Sequence, residues 1–391
     1  MSLAHPTFDD LLFENKRQEE TPVIPKMIEM NGFHFSSSEI EKKRADQYRT
    51  FKQQSETTQY SYDSIFPLLI TGITGVAGYN AMAYFQSRFP EKVFGLLPPD
   101  TIGFNVPNSI ICNAEHFSEL QQIFDRYRFK AVLDCAGNCA LKACQLDPKI
   151  AWALNVEVIR NIAALTKRYS IRLVHLSVDM VFGGRPNGGY SEAESTSPVN
   201  VYGQTMVEGE KSVEEIDPFA LTLRISMPMG ASFNGHAGAI DWIASRFKKN
   251  RFATLYFDEV RTPTYTDCMN RVFRAFLQND YAGLLHCGGP QQVSLYQMAQ
   301  IINRLGGFAP SLLFGLSKDE ACPVPPRVSN CSLDSSLIAQ ILGFEPFSPW
   351  PLFPELLPTS LDWHYLRAPD EKGSLELMNR ILAFNPIYYK N

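Results

Sequence analysis

The stretch FPLLITGITGVAGYNAMAYFQSRF, residues 66–89, decides the fold. Its first seven residues form a short apolar run ending in glycine, the pattern of a strand buried on both faces of a parallel sheet. From residue 76 onward, apolar side chains at 77, 81, 82 and 85 recur with a helical period. Between strand and helix lie Gly72, Gly75 and Gly78, spaced GxxGxxG. In that setting the first glycine permits a tight turn. The second lets backbone approach a pyrophosphate, and the third lets helix and strand pack closely. The N–H groups at the start of the helix then face an anion. A glycine triplet alone equally suits a plain tight turn; its strand–helix setting favours a dinucleotide site. The candidate cradle is Gly72, Thr74, Gly75, Val76 and Gly78.

Downstream, strands and helices alternate. Residues 92–98, 130–137 and 171–177 read as core strands, and 117–128 and 149–170 as helices. That alternation predicts an α/β fold, a Rossmann-type doubly wound parallel sheet. After residue 215 the rhythm loosens into strand 219–226, helix 239–249, strand 281–289 and helix 294–307. At about 100–200 residues per domain, 391 residues suggest about two domains. The expected layout is an N-terminal extension over 1–64 and a dinucleotide-binding domain over 65–225, to which the chain can return after 225. A smaller α/β substrate region over 226–345 and a Pro-rich tail over 346–391 follow. Within the extension, Glu39–Glu56 reads as a polar helix. The tail holds five prolines over 346–358, which predicts extended chain, and a last helix over 374–384.

Composition limits the functions. Hydrophobic residues are 45% and charged residues 20%, which excludes wholesale disorder. A net charge of −5 argues against a general nucleic-acid or anionic-membrane binder. No stretch nears the roughly 18 apolar residues of a membrane span. The acidic N-terminus lacks the apolar segment of a secretory signal, so a cytoplasmic location is the default expectation. Eight cysteines are too few for a disulfide scaffold. Cys135, Cys139 and Cys144 match no common zinc spacing and are expected to be buried reduced thiols. The dispersed histidines suggest no metal site.

The NAD-selecting acid should follow the second strand. That place reads LLPPD, and Asp100 sits at about the right distance, some 20 residues on. No arginine there greets a 2′-phosphate, so NAD and NADP both stay open.

Residues 174–214, VHLSVDMVFGGRPNGGYSEAESTSPVNVYGQTMVEGEKSVE, carry the resemblance. With the glycine loop, CAG at 135–137, LNV at 154–156, LRIS at 223–226, PTYTD at 263–267, LLHCGG at 284–289 and PPRVSNCSLDSS at 325–336, the chain resembles the extended short-chain dehydrogenase/reductases. Within them it is similar to the dTDP-4-dehydrorhamnose reductase group, which also holds the regulatory beta subunit of methionine adenosyltransferase. The match covers about residues 66–345. The resemblance implies a nicotinamide cofactor, a nucleotide-sugar ligand and a catalytic tyrosine, here Tyr202. In such enzymes a lysine four residues on, one helical turn away, stabilises the phenolate, and a Ser or Thr hydroxyl holds the reacting oxygen. Here those positions are Met206 and Val178. Asp179 and Asn155 retain the family's residues, and Tyr202, Asp179 and Asn155 are the candidate catalytic set. Asn113, Ala136, Gly137 and Tyr202 complete the implied cofactor contacts, Asn113 only as a partial match to an adenine-side Asp.

Losing the lysine removes general acid–base help worth about 10²–10⁴-fold. Losing the hydroxyl costs about 10²–10³-fold more, without strict additivity. Lys211, nine residues after Tyr202, is half a helical turn out of phase and no substitute. Plain alternatives stand beside each residue: Tyr202 as a structural hydroxyl, Asp179 as a capping carboxylate, Asn155 as a helix-bulge amide. Arg224 and Arg261 are expected as surface or salt-bridge residues, with nucleotide-diphosphate contact as the lesser reading. The resulting expectation is an NAD(P)-binding reductase-like protein with a degraded catalytic set. The alternative is a non-catalytic subunit that meets a protein partner through its N-terminal extension or C-terminal tail, in particular through exposed aromatic–proline segments such as 346–354. A homodimer is also expected.

Overall fold

A computed structural model describes residues 27–30, 32–36, 62–101, 103–321 and 324–388. Seven strands form one sheet: β1 (Leu68–Ile70), β2 (Val93–Leu97), β3 (Ser109–Ile111), β4 (Ala131–Asp134), β5 (Arg172–Val178), β6 (Leu221–Ile225) and β7 (Gly283–Cys287). Their order is β7-β6-β5-β4-β1-β2-β3, and every pairing is parallel. The order reverses between β1 and β4, so the ends of these two strands flank the crevice where doubly wound sheets take their ligands.

The helices that position the site are α1 (Val76–Gln86), α2 (Phe117–Tyr127), α3 (Leu141–Leu146), α4 (Pro148–Trp152), α5 (Val158–Tyr169), α6 (Val201–Ile216), α7 (Ala239–Lys248), α8 (Thr266–Leu277) and α9 (Leu295–Leu305). Two apolar layers sandwich the sheet. On one face Ala77, Ala81, Met82 and Phe85 of α1 join Val272, Phe273 and Phe276 of α8. On the other, Leu120 and Phe124 of α2 join Ile159 and Ile162 of α5 and Val213 of α6. Strands covered on both sides must be apolar throughout, which is why Leu68, Leu69 and Ile70 are all fully buried. The fold is thus a Rossmann-type doubly wound sheet, and β7 brings residues 283–287 into it.

Beyond β6 the chain builds a smaller α/β region. Ala253–Tyr256 pairs in parallel with Leu313–Leu316, and α7 and α9 pack beside this pair. In the N-terminal extension, Met27–Met30 and Phe33–Ser36 form an antiparallel hairpin that the sequence did not predict. Phe33 joins the main core. The predicted polar helix over 39–56 lies outside the described residues.

Three expectations need correction. The helix expected over 149–170 is interrupted: a π-helical turn, Ala153–Glu157, separates α4 from α5. The Pro-rich segment 346–354 is no exposed docking element. Phe347, Trp350 and Phe353 are buried in the main core, because Trp350 donates its indole N–H to the Leu382 carbonyl and Tyr265 ties Leu352 to Ile381. Prolines here end regular structure without exposing the aromatics between them. Finally, the thiols are not uniformly buried: Cys139 is exposed and Cys135 half-buried, since both lie on the loop leaving β4. The seven described cysteines are all free. Among the described residues no helix is long and apolar enough to cross a membrane.

Candidate functional site

The glycine loop runs from the end of β1 into α1. Gly72 has a left-handed φ of 61°, and a Cβ there would lie 2.1 Å from the Cys135 carbonyl oxygen. The loop leaving β4 therefore presses directly on it. A Cβ on Gly78 would lie 2.3 Å from the Gly72 oxygen, so α1 approaches β1 as closely as backbone allows. The Gly75 N–H donates to the Gly72 carbonyl at 2.9 Å and closes the turn. Gly75 caps α1 without a side chain, and the first helical turn holds no acidic residue. A bare, positively polarised helix start between two strand ends fits an anionic group such as a pyrophosphate. Thr74 is half-buried beside it and Val76 is buried, with the glycine that opens α7, Gly238, packed against Val76.

A buried polar cross-link ties the strand ends together. The Thr71 hydroxyl donates to Asp134 at 2.5 Å, and Asp134 meets His175 Nδ1 at 2.7 Å. The Cys135 N–H donates to Thr71 Oγ1. This set was not singled out from the sequence; polar residues at 71 and 134, where apolar strands end, and at 175, within one, were the available signal.

Ala136 and Gly137 continue the β4 loop, and Gly137 abuts the Asn155 amide. Asn155 sits in the π-helical turn. Its Oδ1 accepts from the Asn138 N–H at 2.6 Å, and its Nδ2 donates to Thr205 Oγ1 at 2.9 Å. The bulge thus aims one amide at both the β4 loop and α6, a common use of π-turns. Asn113 follows β3, where its side chain accepts from the Glu115 N–H and closes a local turn. Asp100 is exposed, three residues beyond the end of β2.

Tyr202 and Met206 lie on α6 and are both buried. They belong to one apolar cluster with Cys144, Ala151, Met180, Val181 and Phe182, and Val178 packs against it. Burial pushes the Tyr202 phenol well above the ordinary tyrosine value. Cys139, Asp179 and Cys144 add to this, and only Arg261 opposes it. The arrangement reverses what proton transfer at neutral pH requires.

Asp179 follows β5 and is fully enclosed. Its Oδ2 accepts from Ser226 at 2.5 Å and its Oδ1 from Arg261 at 3.1 Å. Burial raises its pKa, and Arg261 and Ser226 pull against that rise. Arg261 also donates to Glu259 at 2.7 Å, and Arg327 to the other oxygen of Glu259 at 2.9 Å. Of the two readings for Arg261, surface or salt bridge, the structure gives the salt bridge, and it is buried. Arg224 likewise holds Glu210 through two bonds of 2.8 and 2.7 Å. Lys211 is exposed and bonded to Glu208. The sequence thus led to Tyr202, Met206, Val178 and Asp179 around one centre. It gave no sign that Arg261 would close over Asp179, because the pair spans 82 residues.

Known proteins carry the same architecture. The chain is 27% identical over 279 residues to a probable low-salt glycan biosynthesis reductase of Haloferax volcanii, covering 70% of this chain and 91% of the relative. It is 24% identical to the methionine adenosyltransferase 2 subunit beta of Danio rerio, covering 71% and 84%. It is also 24% identical to the dTDP-4-dehydrorhamnose reductase of Aggregatibacter actinomycetemcomitans, covering 72% and 95%. Among solved structures, the Thermus thermophilus UDP-glucose 4-epimerase complex with NAD superposes with a TM-score of 0.63 at 19% identity, over 77% of this chain and 99% of that one. A Bacillus anthracis dTDP-4-dehydrorhamnose reductase in complex with NADP gives 0.58 at 20% identity, over 72% and 95%. At these identities the structural likeness is one of fold. Residues 67–352, well over half of the chain, match the family described as RmlD substrate binding domain, and the chain belongs to that family.

Proposed function

We propose that this protein binds NAD(H) or NADP(H) at the β1–β4 crevice and no longer carries out the proton transfer of nucleotide-sugar reduction. Gly72, Thr74, Gly75, Val76 and Gly78 would hold the pyrophosphate, with Ala136 and Gly137 forming the opposite wall. The cofactor, when bound, supplies a hydride at its nicotinamide. What this chain's own residues offer beside it is apolar: Met206 and Val178 stand where a cation and a hydroxyl would act. The observation that carries the reading is the buried Tyr202 phenol, raised by its surroundings and lodged in an apolar cluster. A phenol in that state neither ionises near neutral pH nor passes a proton efficiently. Asp179 does not replace it, since both its oxygens are engaged.

A second reading follows from relatives named as a beta subunit: the fold serves as a regulatory partner, with the dinucleotide as a structural or sensing ligand. The domain roles expected from the sequence, dinucleotide binding over 65–225 and substrate contact mainly over 226–345, form part of the proposal.

The test is a panel of 4-keto sugar nucleotides with NADH and NADPH, followed at the nicotinamide absorbance. The wild type is expected to show turnover at least about 10⁴-fold below a working reductase. Val178→Thr with Met206→Lys is expected to raise it by at least about tenfold if the sugar pocket persists. Efficient wild-type turnover would overturn the proposal.

A further inference from the structure

The end of α7 presents a basic and aromatic surface that the fold itself does not require. The helix buries Ile240, Ile243, Ala244 and Phe247. On its outward side Trp242, Arg246 and Lys249 align at helical spacing. The Arg246 guanidinium lies 5.6 Å from the Trp242 ring centroid, and its Nε donates to the Phe252 carbonyl at 2.6 Å. Phe252 meets Phe314 of the neighbouring strand pair edge-on, with centroids 5.0 Å apart. Trp242 is 44% exposed, Phe252 57% and Phe314 50%. Lys248, Lys249 and Arg251 are exposed around them, and residues 246–252, RFKKNRF, hold four cations and no acid. Asp241, in the first turn of the helix, accepts from Ser232 at 2.5 Å and faces Lys248 among the four cations.

Cations in the last turn of a helix complement its dipole, which accounts for one or two of them. It does not account for three aromatics left about half in water, each forgoing about half of the roughly 1.5–3 kcal/mol that full burial of such a side chain is worth. Aromatic side chains and arginine together mark interface centres, with lysines at the rim.

We propose that this surface docks an acidic polypeptide segment carrying aromatic or aliphatic side chains. Charge complementarity is the argument. On a chain of net charge −5, a local run of four cations draws a short acidic segment, whereas a long polyanion meets repulsion from the rest of the molecule. The perpendicular Phe252–Phe314 pair presents no parallel faces on which successive bases stack.

The test uses the full chain and a fluorescein-labelled synthetic peptide, Asp-Phe-Asp-Leu-Asp-Phe-Glu-Leu, followed by anisotropy. Expected are saturable binding in the micromolar range that weakens with salt, and at least about tenfold weakening by Lys249→Glu with Arg251→Glu. Phe314→Ser is expected to weaken binding similarly, with unchanged melting of all variants as the folding check. No saturation by about 100 μM peptide, or binding untouched by both variants, overturns the proposal. So does equal, variant-sensitive binding of a single-stranded oligonucleotide or of phosphatidylserine vesicles, which would make the surface a general polyanion site.

Discussion

Asp179 is bound into the fold on both of its oxygens. Its carboxylate is held by Ser226 and by Arg261, which also binds Glu259. Asp179→Asn keeps the shape and removes the charge, leaving a buried guanidinium with one carboxylate fewer. The expected cost is about 1–3 kcal/mol in urea unfolding. If Asp179 were instead a strained general base, the same change would leave stability unaltered or improve it. At this scale the sequence was informative where chemistry is local. Gly72 and Gly78 announced a close backbone approach, and the structure shows it. The sequence was silent where the effect comes from surroundings. The depth of Tyr202 depends on Cys144, Ala151 and Phe182 closing around it, from three separate segments.

At the scale of elements, β5, β6 and β7 are joined by a buried polar chain. Ser177 donates to Glu210 of α6 at 2.5 Å, Glu210 holds Arg224, and the Arg224 guanidinium faces His286 Nε2 at 3.4 Å. His286 Nδ1 then donates to the Tyr190 carbonyl at 2.9 Å, which leaves Nε2 to accept from Arg224, as only a neutral ring can. Burial, with Arg224, depresses the His286 pKa below the ordinary value, and Glu192 with the carbonyls of Tyr190 and Asp334 opposes this. The unfolded chain therefore takes up the proton first. Stability from His286 is present above about pH 6.5 and is lost as pH falls through the depressed value. Urea unfolding between pH 7.5 and 5.5 is expected to weaken by up to about 1.4 kcal/mol per pH unit for this one proton. His286→Gln is expected to flatten the slope without abolishing it, because His364 is also depressed, by burial and Arg367. An unchanged slope in the variant would assign the effect elsewhere. The long apolar strands were legible because two-sided burial forbids polar residues. β3 was missed because its three residues are only partly covered. Apolar periodicity runs unbroken through the π-turn at Ala153–Glu157, and only the reading of Asn155 as a helix-bulge amide pointed to it.

At the scale of the whole molecule, the described segments outside residues 67–352 pack against the family-matched core. The N-terminal hairpin turn at Gly32 abuts the backbone of Asp370 and Glu371, and Arg304 holds Glu371 while lying over Trp363. Trp350 is fully buried, and its removal opens a large cavity. Trp350→Ala is expected to cost about 3–5 kcal/mol, read as a lowered melting temperature, whereas an exposed docking tryptophan would cost almost nothing. Proline content pointed to irregular chain in this tail, but the direction its aromatics face is set by Tyr265 and Leu382, far away in sequence. The proposed function joins an intact dinucleotide fold to a reaction centre without acid–base means, and cofactor binding can be measured without any knowledge of a substrate. Calorimetric titration of the full chain with NADH and NADPH addresses it most directly. Saturable binding of at least one, with a dissociation constant in the micromolar range, is the predicted result. Heat indistinguishable from dilution for both would contradict it, leaving the glycine loop as a structural turn only.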